Sequence, residues 1–183
     1  MPLPDSNHHK VTTGEHAVSF QVEHHAISQS QDEVAVRRLY EQMMEGWNRG
    51  SAEMFAAPFT ENADFIAFDG THFKGRREIE VSHQALFEKW LKGTRLVGEV
   101  TGVRFVASDV AVMHARGSTI MQGRAYPSPE RDSIQTLIAT RHETTWLVEA
   151  FHNTRIRPIG RSLSGTGIWV LTDWLWKLCR PRK

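Results

Sequence analysis

The sequence has only one cysteine, Cys179, among its 183 residues. A single cysteine excludes an intramolecular disulfide and a cysteine-rich zinc site, so we expect a reducing, cytoplasmic location. The sequence also lacks an excess of charge of either sign, since its 22 Lys and Arg are balanced by 21 Asp and Glu. This balance excludes a protein that wraps nucleic acid by charge, and we expect no nucleic-acid partner.

Long apolar runs and cofactor motifs are absent as well. The most apolar stretch, residues 168–179, is shorter than the roughly 20 residues that span a bilayer. The sequence contains no Walker A loop, no dinucleotide-binding glycine motif after a strand, no nucleophile elbow and no His-Glu-x-x-His. We therefore expect neither an organic cofactor nor a bound metal.

What is present indicates one folded domain with an extension at each end. Apolar residues make up 40% of the chain, as in ordinary globular proteins. Residues 1–30 are polar and lack apolar periodicity, and we predict a flexible leader there. Residues 31–157 form the domain, and residues 158–167 are a Gly- and Pro-containing linker. Residues 168–183 form a Trp-rich amphipathic tail with a basic end, typical of a peripheral membrane anchor or of a helix that docks on its own domain or a partner subunit.

The first half of the domain has helical periodicity. Ser30 and Glu33 match a capping box that would begin a helix at Ser30. Apolar side chains then recur at steps of three and four, at Val36, Leu39, Tyr40, Met43 and Trp47. We predict a short second helix over residues 52–57, and a third between Gly75 and Gly93 with His83 on its apolar stripe.

The second half has the period of two that indicates strands. The predicted strands cover residues 63–68, 96–106, 109–121, 132–143 and 146–157. Helices gathered on one face of an antiparallel sheet make an α+β fold. We expect a curved sheet wrapped around the N-terminal helices, with an apolar cavity on its concave face.

Several motifs in this order resemble those of the nuclear transport factor 2-like superfamily, the cone-shaped fold of ketosteroid isomerases, scytalone dehydratases and SnoaL-type cyclases. They are Trp47-Asn48-Arg49-Gly50, Ala63-Asp64-Phe65, Gly75-Arg76 and Trp146-Leu147-Val148. Other segments look like the SgcJ/EcaC family, namely Thr71 to Arg76, His83 to Phe87, Val110 to His114, and Ala150 to Arg155 with its Phe-His-Asn-Thr-Arg core. The resemblance covers about residues 31–157.

The sequence departs from the steroid isomerases within this resemblance. Those enzymes place a carboxylate base near the end of the first long strand, where this chain has Ala67-Phe68-Asp69. Their tyrosine donor corresponds to Met43, with Tyr40 one turn away. This argues against steroid-isomerase chemistry as such.

Three histidines are the catalytic candidates. His83 faces inward on its helix, either as a core histidine bonded to a carbonyl or as an acid/base in the cavity. His114 shares its strand parity with Arg116 and Ser118; this parity faces either the cavity, which we expect for His114, or the solvent and a dimer partner. His152 and Asn153 are adjacent on a strand, so they point to opposite faces; the resemblance favours Asn153 inward and implicates both.

The substrate-binding candidates lie on the first helix and on the last two strands. They are Tyr40, Trp47, Gln135, Arg141 and Asn153. Gln135 and Arg141 share one parity, and Arg141 with Glu149 would make a charge pair or an anion-binding group.

These features predict a cofactor-independent enzyme that moves protons by histidine acid/base chemistry in an isomerisation, dehydration or cyclisation. Its partner would be a small, apolar, oxygenated metabolite. The alternative is a non-catalytic module that binds ligands or forms a homodimer through its exposed sheet face, and that the tail attaches to a membrane surface.

Overall fold

A computed structural model describes the backbone of residues 14–157 and the side chains of residues 29–157. The predicted linker and the Trp-rich tail, residues 158–183, lie outside the described residues, as do residues 1–13. What the sequence predicts for those segments stays a prediction. Within residues 14–157, no helix combines the length and the apolar character that crossing a membrane requires.

The predicted α+β architecture is confirmed, with three helices, a six-stranded sheet and a short 3-10 turn at Pro129–Arg131. The elements in chain order are α1 (Gly14–Arg49), α2 (Ala52–Ala56), β1 (Phe59–Ile66), β2 (His72–Lys74), α3 (Gly75–Lys89), β3 (Arg95–Ala107), β4 (Val110–Ile120), β5 (Ser133–His142) and β6 (Thr145–Arg155).

Helix α1 is longer than the sequence predicts. It begins at Gly14, so Ser30 and Glu33 lie inside the helix and do not cap its start. The prediction that all of residues 1–30 lack structure is therefore wrong from Gly14 onward. A capping-box pattern can occur within a helix because Ser and Glu are tolerated on exposed helical faces.

The sheet has the strand order β2-β1-β6-β5-β4-β3. Its pairings are antiparallel except for β1 with β6, which run parallel. The prediction from the sequence placed β1 at residues 63–68, which is too far along the chain, and it did not include the short edge strand β2. The structure shows that β1 already begins at Phe59, directly after the proline that ends α2.

Helix α3 is fixed to the sheet by its first residues. Gly75 has a φ of +80°, and a Cβ there would lie 2.7 Å from the Glu61 carbonyl oxygen. The next residue, Arg76, donates from Nε to the Phe59 carbonyl oxygen at 2.7 Å. The Gly-Arg pair thereby docks α3 on β1 and sets the position of His83 above the sheet.

The core lies between the helices and the concave sheet face. Buried residues alternate along β4, where Ala111, Met113 and Ala115 are fully buried. Helix α1 also packs closely on α2, since a Cβ at Gly46 would lie 2.3 Å from the Phe55 backbone nitrogen.

Candidate functional site

A cavity of about 630 Å³ opens between helices α1 to α3 and the concave face of the sheet. That volume falls within the range of roughly 300 to 1,000 Å³ typical of small-molecule sites. Its deep wall is aromatic, and polar groups stand on one side. The cavity-lining residues used below are Tyr40, Trp47, Phe55, Phe65, Phe68, Asp69, His83, Lys89, Arg131, Ser133, Gln135, Phe151, Asn153 and Arg155.

The polar side is a directed chain of hydrogen bonds. The Tyr40 hydroxyl donates to Gln135 Oε1 at 3.3 Å. Gln135 Nε2 donates to Ser133 Oγ at 2.8 Å and to Asn153 Oδ1 at 3.2 Å. Ser133 Oγ donates onward to the Gly117 carbonyl oxygen at 3.2 Å. Because these bonds use Gln135 as an acceptor on one side and a donor on the other, its amide orientation is fixed.

Two cross-strand glycines make room for the tyrosine. Gly98 on β3 pairs with Gly117 on β4. A Cβ at either position would lie 2.5 Å or 2.7 Å from the Tyr40 hydroxyl oxygen. The hydroxyl therefore sits in a notch in the sheet, where burial raises the pKa of Tyr40 to about 12. Tyr40 acts there as a neutral hydrogen-bond donor.

Asn153 is the member of this hydrogen-bond network that faces the cavity. Its Oδ1 accepts from Gln135, so its Nδ2 group carries two hydrogens that face away from Gln135. Among the described residues, none accepts from Nδ2. The amide is thus an oriented donor for a carbonyl or carboxylate oxygen in the cavity.

His83 stands on α3 and is 4% exposed. Its Nδ1 lies 2.8 Å from the Ile79 carbonyl oxygen, which can only accept, so Nδ1 carries the proton. Nε2 is then a lone-pair acceptor, and no described residue donates to it. Burial lowers the pKa of His83 to about 4, against a smaller opposite effect of the Ile79 carbonyl. The imidazole is therefore neutral at physiological pH.

Aromatic rings hold the imidazole in place. The ring stacks on Phe55 with centroids 4.2 Å apart, and Phe65 meets it edge-on at 5.2 Å. Phe65 in turn stacks on Phe151 at 4.6 Å, which connects the histidine to the strand that carries Asn153. Trp47 offers only its ring to the cavity, because its Nε1 donates to Thr94 Oγ1 at 3.1 Å.

The mouth of the cavity holds cationic side chains that the sequence analysis did not single out. Arg155 lies on β6, Arg131 in the 3-10 turn and Lys89 at the end of α3. The Arg155 guanidinium lies over the Phe68 ring at 4.0 Å and donates from Nη1 to the Arg131 carbonyl oxygen. A signal was available, since Phe151, Asn153 and Arg155 alternate along β6 and so share a face.

Asp69 also lies at the mouth, near the position where steroid isomerases have their base. It is exposed, and it accepts a hydrogen bond from the Thr71 backbone N–H at 3.0 Å. That bond lowers its pKa. Asp69 stabilises the β1–β2 turn and does not reach the deep wall.

The structure brings five of the predicted residues together at the cavity and separates three from it. The five are Tyr40, Trp47, His83, Gln135 and Asn153. The prediction that His114 faces the cavity is wrong, because Ala111, Met113 and Ala115 of β4 are buried in the core and His114 lies on the exposed outer face. His152 is likewise exposed there, and both pair across the sheet with Thr136.

Arg141 has a structural environment outside the cavity. It donates from Nη1 to both oxygens of Asp32 at 3.1 Å, and its guanidinium lies 5.4 Å from the Trp146 ring centroid. Its carboxylate partner is thus Asp32 and not Glu149, which a register shift between β5 and β6 turns toward Thr140. Among the described residues, no three His, Cys, Asp or Glu side chains gather closely enough to hold a metal ion.

Comparison with known proteins places the fold. No protein-family model matches this chain, and no curated protein matches it. A domain of unknown function with a cystatin-like fold from Nostoc punctiforme is 44% identical, with a TM-score of 0.70 over 81% of this chain and 96% of that one.

Two more distant structures share the fold alone. An NTF-2 like protein of unknown function from Shewanella oneidensis is 14% identical, with a TM-score of 0.56 over 67% of this chain and 98% of that one. A protein assigned as a scytalone dehydratase from Novosphingobium aromaticivorans is 15% identical, with a TM-score of 0.59 over 75% and 99%. Membership of the SgcJ/EcaC family stays a prediction. The relative from Nostoc punctiforme shows that this chain belongs to the same family as that cystatin-like domain, and the two more distant structures show that its fold is that of nuclear transport factor 2-like proteins.

Proposed function

We propose that the cavity binds a small, apolar, oxygenated metabolite and moves a proton within it, as in an isomerisation, dehydration or cyclisation. One observation carries this proposal: a neutral, buried imidazole with a free Nε2 and an oriented amide donor line the same cavity. His83 comes from a helix and Asn153 from the sheet, so a molecule between them meets an acceptor on one side and a donor on the other.

The chemistry divides between these two residues. Asn153 Nδ2 hydrogen-bonds a carbonyl oxygen of the substrate and stabilises the negative charge that develops on it. His83 Nε2 takes a proton from the adjacent carbon and returns it to a second atom of the same molecule. Because the pKa of His83 is about 4, its protonated form gives the proton up readily. The Tyr40–Gln135 pair keeps the Asn153 amide in its orientation.

Hydrogen exchange into the metabolite tests this function. Native mass spectrometry of full-length protein from cell extract would identify the retained molecule, which would then be incubated with the protein in deuterated buffer. We expect deuterium at a carbon of the molecule, at a rate that His83→Gln lowers about 100-fold or more. His152→Gln, on the outer sheet face, is the matched control and should leave the rate unchanged. Retention of the molecule without exchange would contradict catalysis and favour the ligand-binding module.

We also propose that the outer sheet face forms a two-fold homodimer. Ile134 and Ile138 are 43% and 39% exposed there, beside His114 and His152. Exposed apolar side chains on a sheet face favour self-association.

Light scattering during gel filtration checks the dimer. Ile138→Asp should convert a dimer into a monomer, because a carboxylate would be buried without a partner. Val34→Asp on α1, where the native valine is 65% exposed, is the control and should leave the mass unchanged. A monomeric wild-type protein would contradict this proposal.

A further inference from the structure

Along the inner face of the last two strands, the side chains change from apolar at the deep end to polar and cationic at the mouth. On β6, Phe151 lies deep, Asn153 follows and Arg155 lies at the mouth. Residues two apart on a strand share a face and lie roughly 6.6 Å apart. On β5, Gln135 pairs with Asn153 and Ser133 pairs with Arg155, so neutral polar groups lie beside the outer half of β6. A ligand that fills this cavity meets rings at one end and donors at the other.

The Arg155 guanidinium is held by neutral groups. Its contacts are the Phe68 ring and the Arg131 carbonyl oxygen. No carboxylate among residues 29–157 lies within ion-pair distance of Arg155, Arg131 or Lys89. Partial burial and the nearby Arg131 and Arg157 lower the pKa of Arg155. A bound anion would relieve this repulsion.

The acidic groups around the mouth do not form ion pairs with these cationic side chains. Asp69 is bound to its own turn. Asp132 favours the charged form of Arg155 but forms no ion pair with it within the described part of the chain. Glu130 is fully exposed and accepts hydrogen bonds from its own turn. The cationic groups at the mouth therefore remain available to a ligand.

We propose that the cavity selects amphipathic monocarboxylates, with the apolar body among the phenylalanines and the carboxylate at the mouth on Arg155 and Arg131, which leaves Asn153 for the carbonyl. This inference rests on the proposed function, since it names the substrate class of the same cavity. Arginine binds carboxylate through paired N–H groups, and partial burial strengthens such charge-assisted bonds. The apolar body then extends toward His83.

Calorimetric titration of the full chain with three probes of equal chain length tests the selection. The probes are octanoate, octanol and octyltrimethylammonium, which differ in the charge of the head group. We expect octanoate to bind about tenfold or more tightly than octanol, as one charge-assisted contact supplies. Octyltrimethylammonium should bind more weakly than octanol, because the mouth repels a cation.

Variants separate this inference from the proposed function. Arg155→Gln should bring octanoate to the affinity of octanol while leaving octanol unchanged, and Arg155→Lys should keep part of the preference. Arg38→Gln, on the exposed surface of α1, is the control. If Arg155→Gln does not fold, Lys89→Gln combined with added salt should reduce the preference in its place. Equal binding of octanoate and octanol would overturn the inference and leave the proposed function standing, whereas binding of none of the probes would overturn both.

Discussion

Acidification from pH 7 to pH 4 should remove about 3 kcal/mol from the free energy of unfolding through His83 alone. The pKa of this histidine falls from 6.5 to about 4 on folding because the ring is buried. Each pKa unit corresponds to about 1.4 kcal/mol. Since the side chain is almost fully buried, little of this effect is lost to solvent screening.

The sign of the effect follows from proton uptake. Between pH 6.5 and pH 4 the unfolded chain binds a proton at residue 83 that the folded protein does not bind. The contribution is therefore complete above pH 6.5, falls as the pH drops, and levels off below about pH 4. Urea unfolding at a series of pH values measures it.

Comparison of variants isolates His83 from the carboxylates that titrate in the same range. His83→Gln should have a flatter profile of stability against pH than the wild type, whereas the exposed His152→Gln should follow the wild type. If the wild type and both variants had parallel profiles of stability against pH, His83 would titrate normally in the folded protein. That result would contradict a neutral imidazole at the cavity.

Gly46→Ala should destabilise the protein by about 2 to 3 kcal/mol, the cost of overpacking at a tight contact. In an exposed helix the same change stabilises by roughly 1 kcal/mol, because alanine has the higher helix propensity. Here the new Cβ would lie 2.3 Å from the Phe55 nitrogen and 2.6 Å from its Cα. Those atoms belong to the backbone of α2, so the contact is relieved only if the two helices separate.

Urea unfolding of Gly46→Ala and Gly102→Ala measures this difference. Gly102 lies on β3, where a Cβ would meet nothing within 4 Å. Its substitution should change the free energy of unfolding by less than about 0.5 kcal/mol. A Gly46→Ala protein as stable as the wild type would mean that α1 and α2 are not in close contact. Because Phe55 stacks on His83, separation of the helices would also disturb the cavity.

Periodicity predicts most of the fold. The four long strands, α2 and the start of α3 at Gly75 agree with the structure to within a few residues. The beginning of α1 was wrong, since the side chains around Ser30 are compatible with both a cap and a helix interior. The edge strand β2 was missed because three residues are too few to show a period of two.

The site was predictable in part, and the reason differs among its residues. His83 could be located because a helical stripe defines an inward direction. On β4 both parities contain apolar residues, so alternation alone does not decide which set faces inward. The fully buried Ala111, Met113 and Ala115 show that their parity faces the core and that His114 faces out. Arg155 could have been located as well, because it shares its strand parity with Asn153, which was expected to face inward.

The parallel pairing of β1 with β6 has a consequence for how the chain acquires its structure. Phe65 on β1 neighbours Phe151 on β6, so the last strand in the described part of the chain lies in the middle of the sheet. During synthesis, α1 to α3 and β1 leave the ribosome first, without the strand that joins them to the β3–β5 meander. Contacts of such long sequence separation form slowly, because loop closure precedes the gain from pairing. The backbone edge of β1 is thus unpaired until β6 arrives, and an unpaired strand edge makes the nascent chain prone to aggregate during that interval.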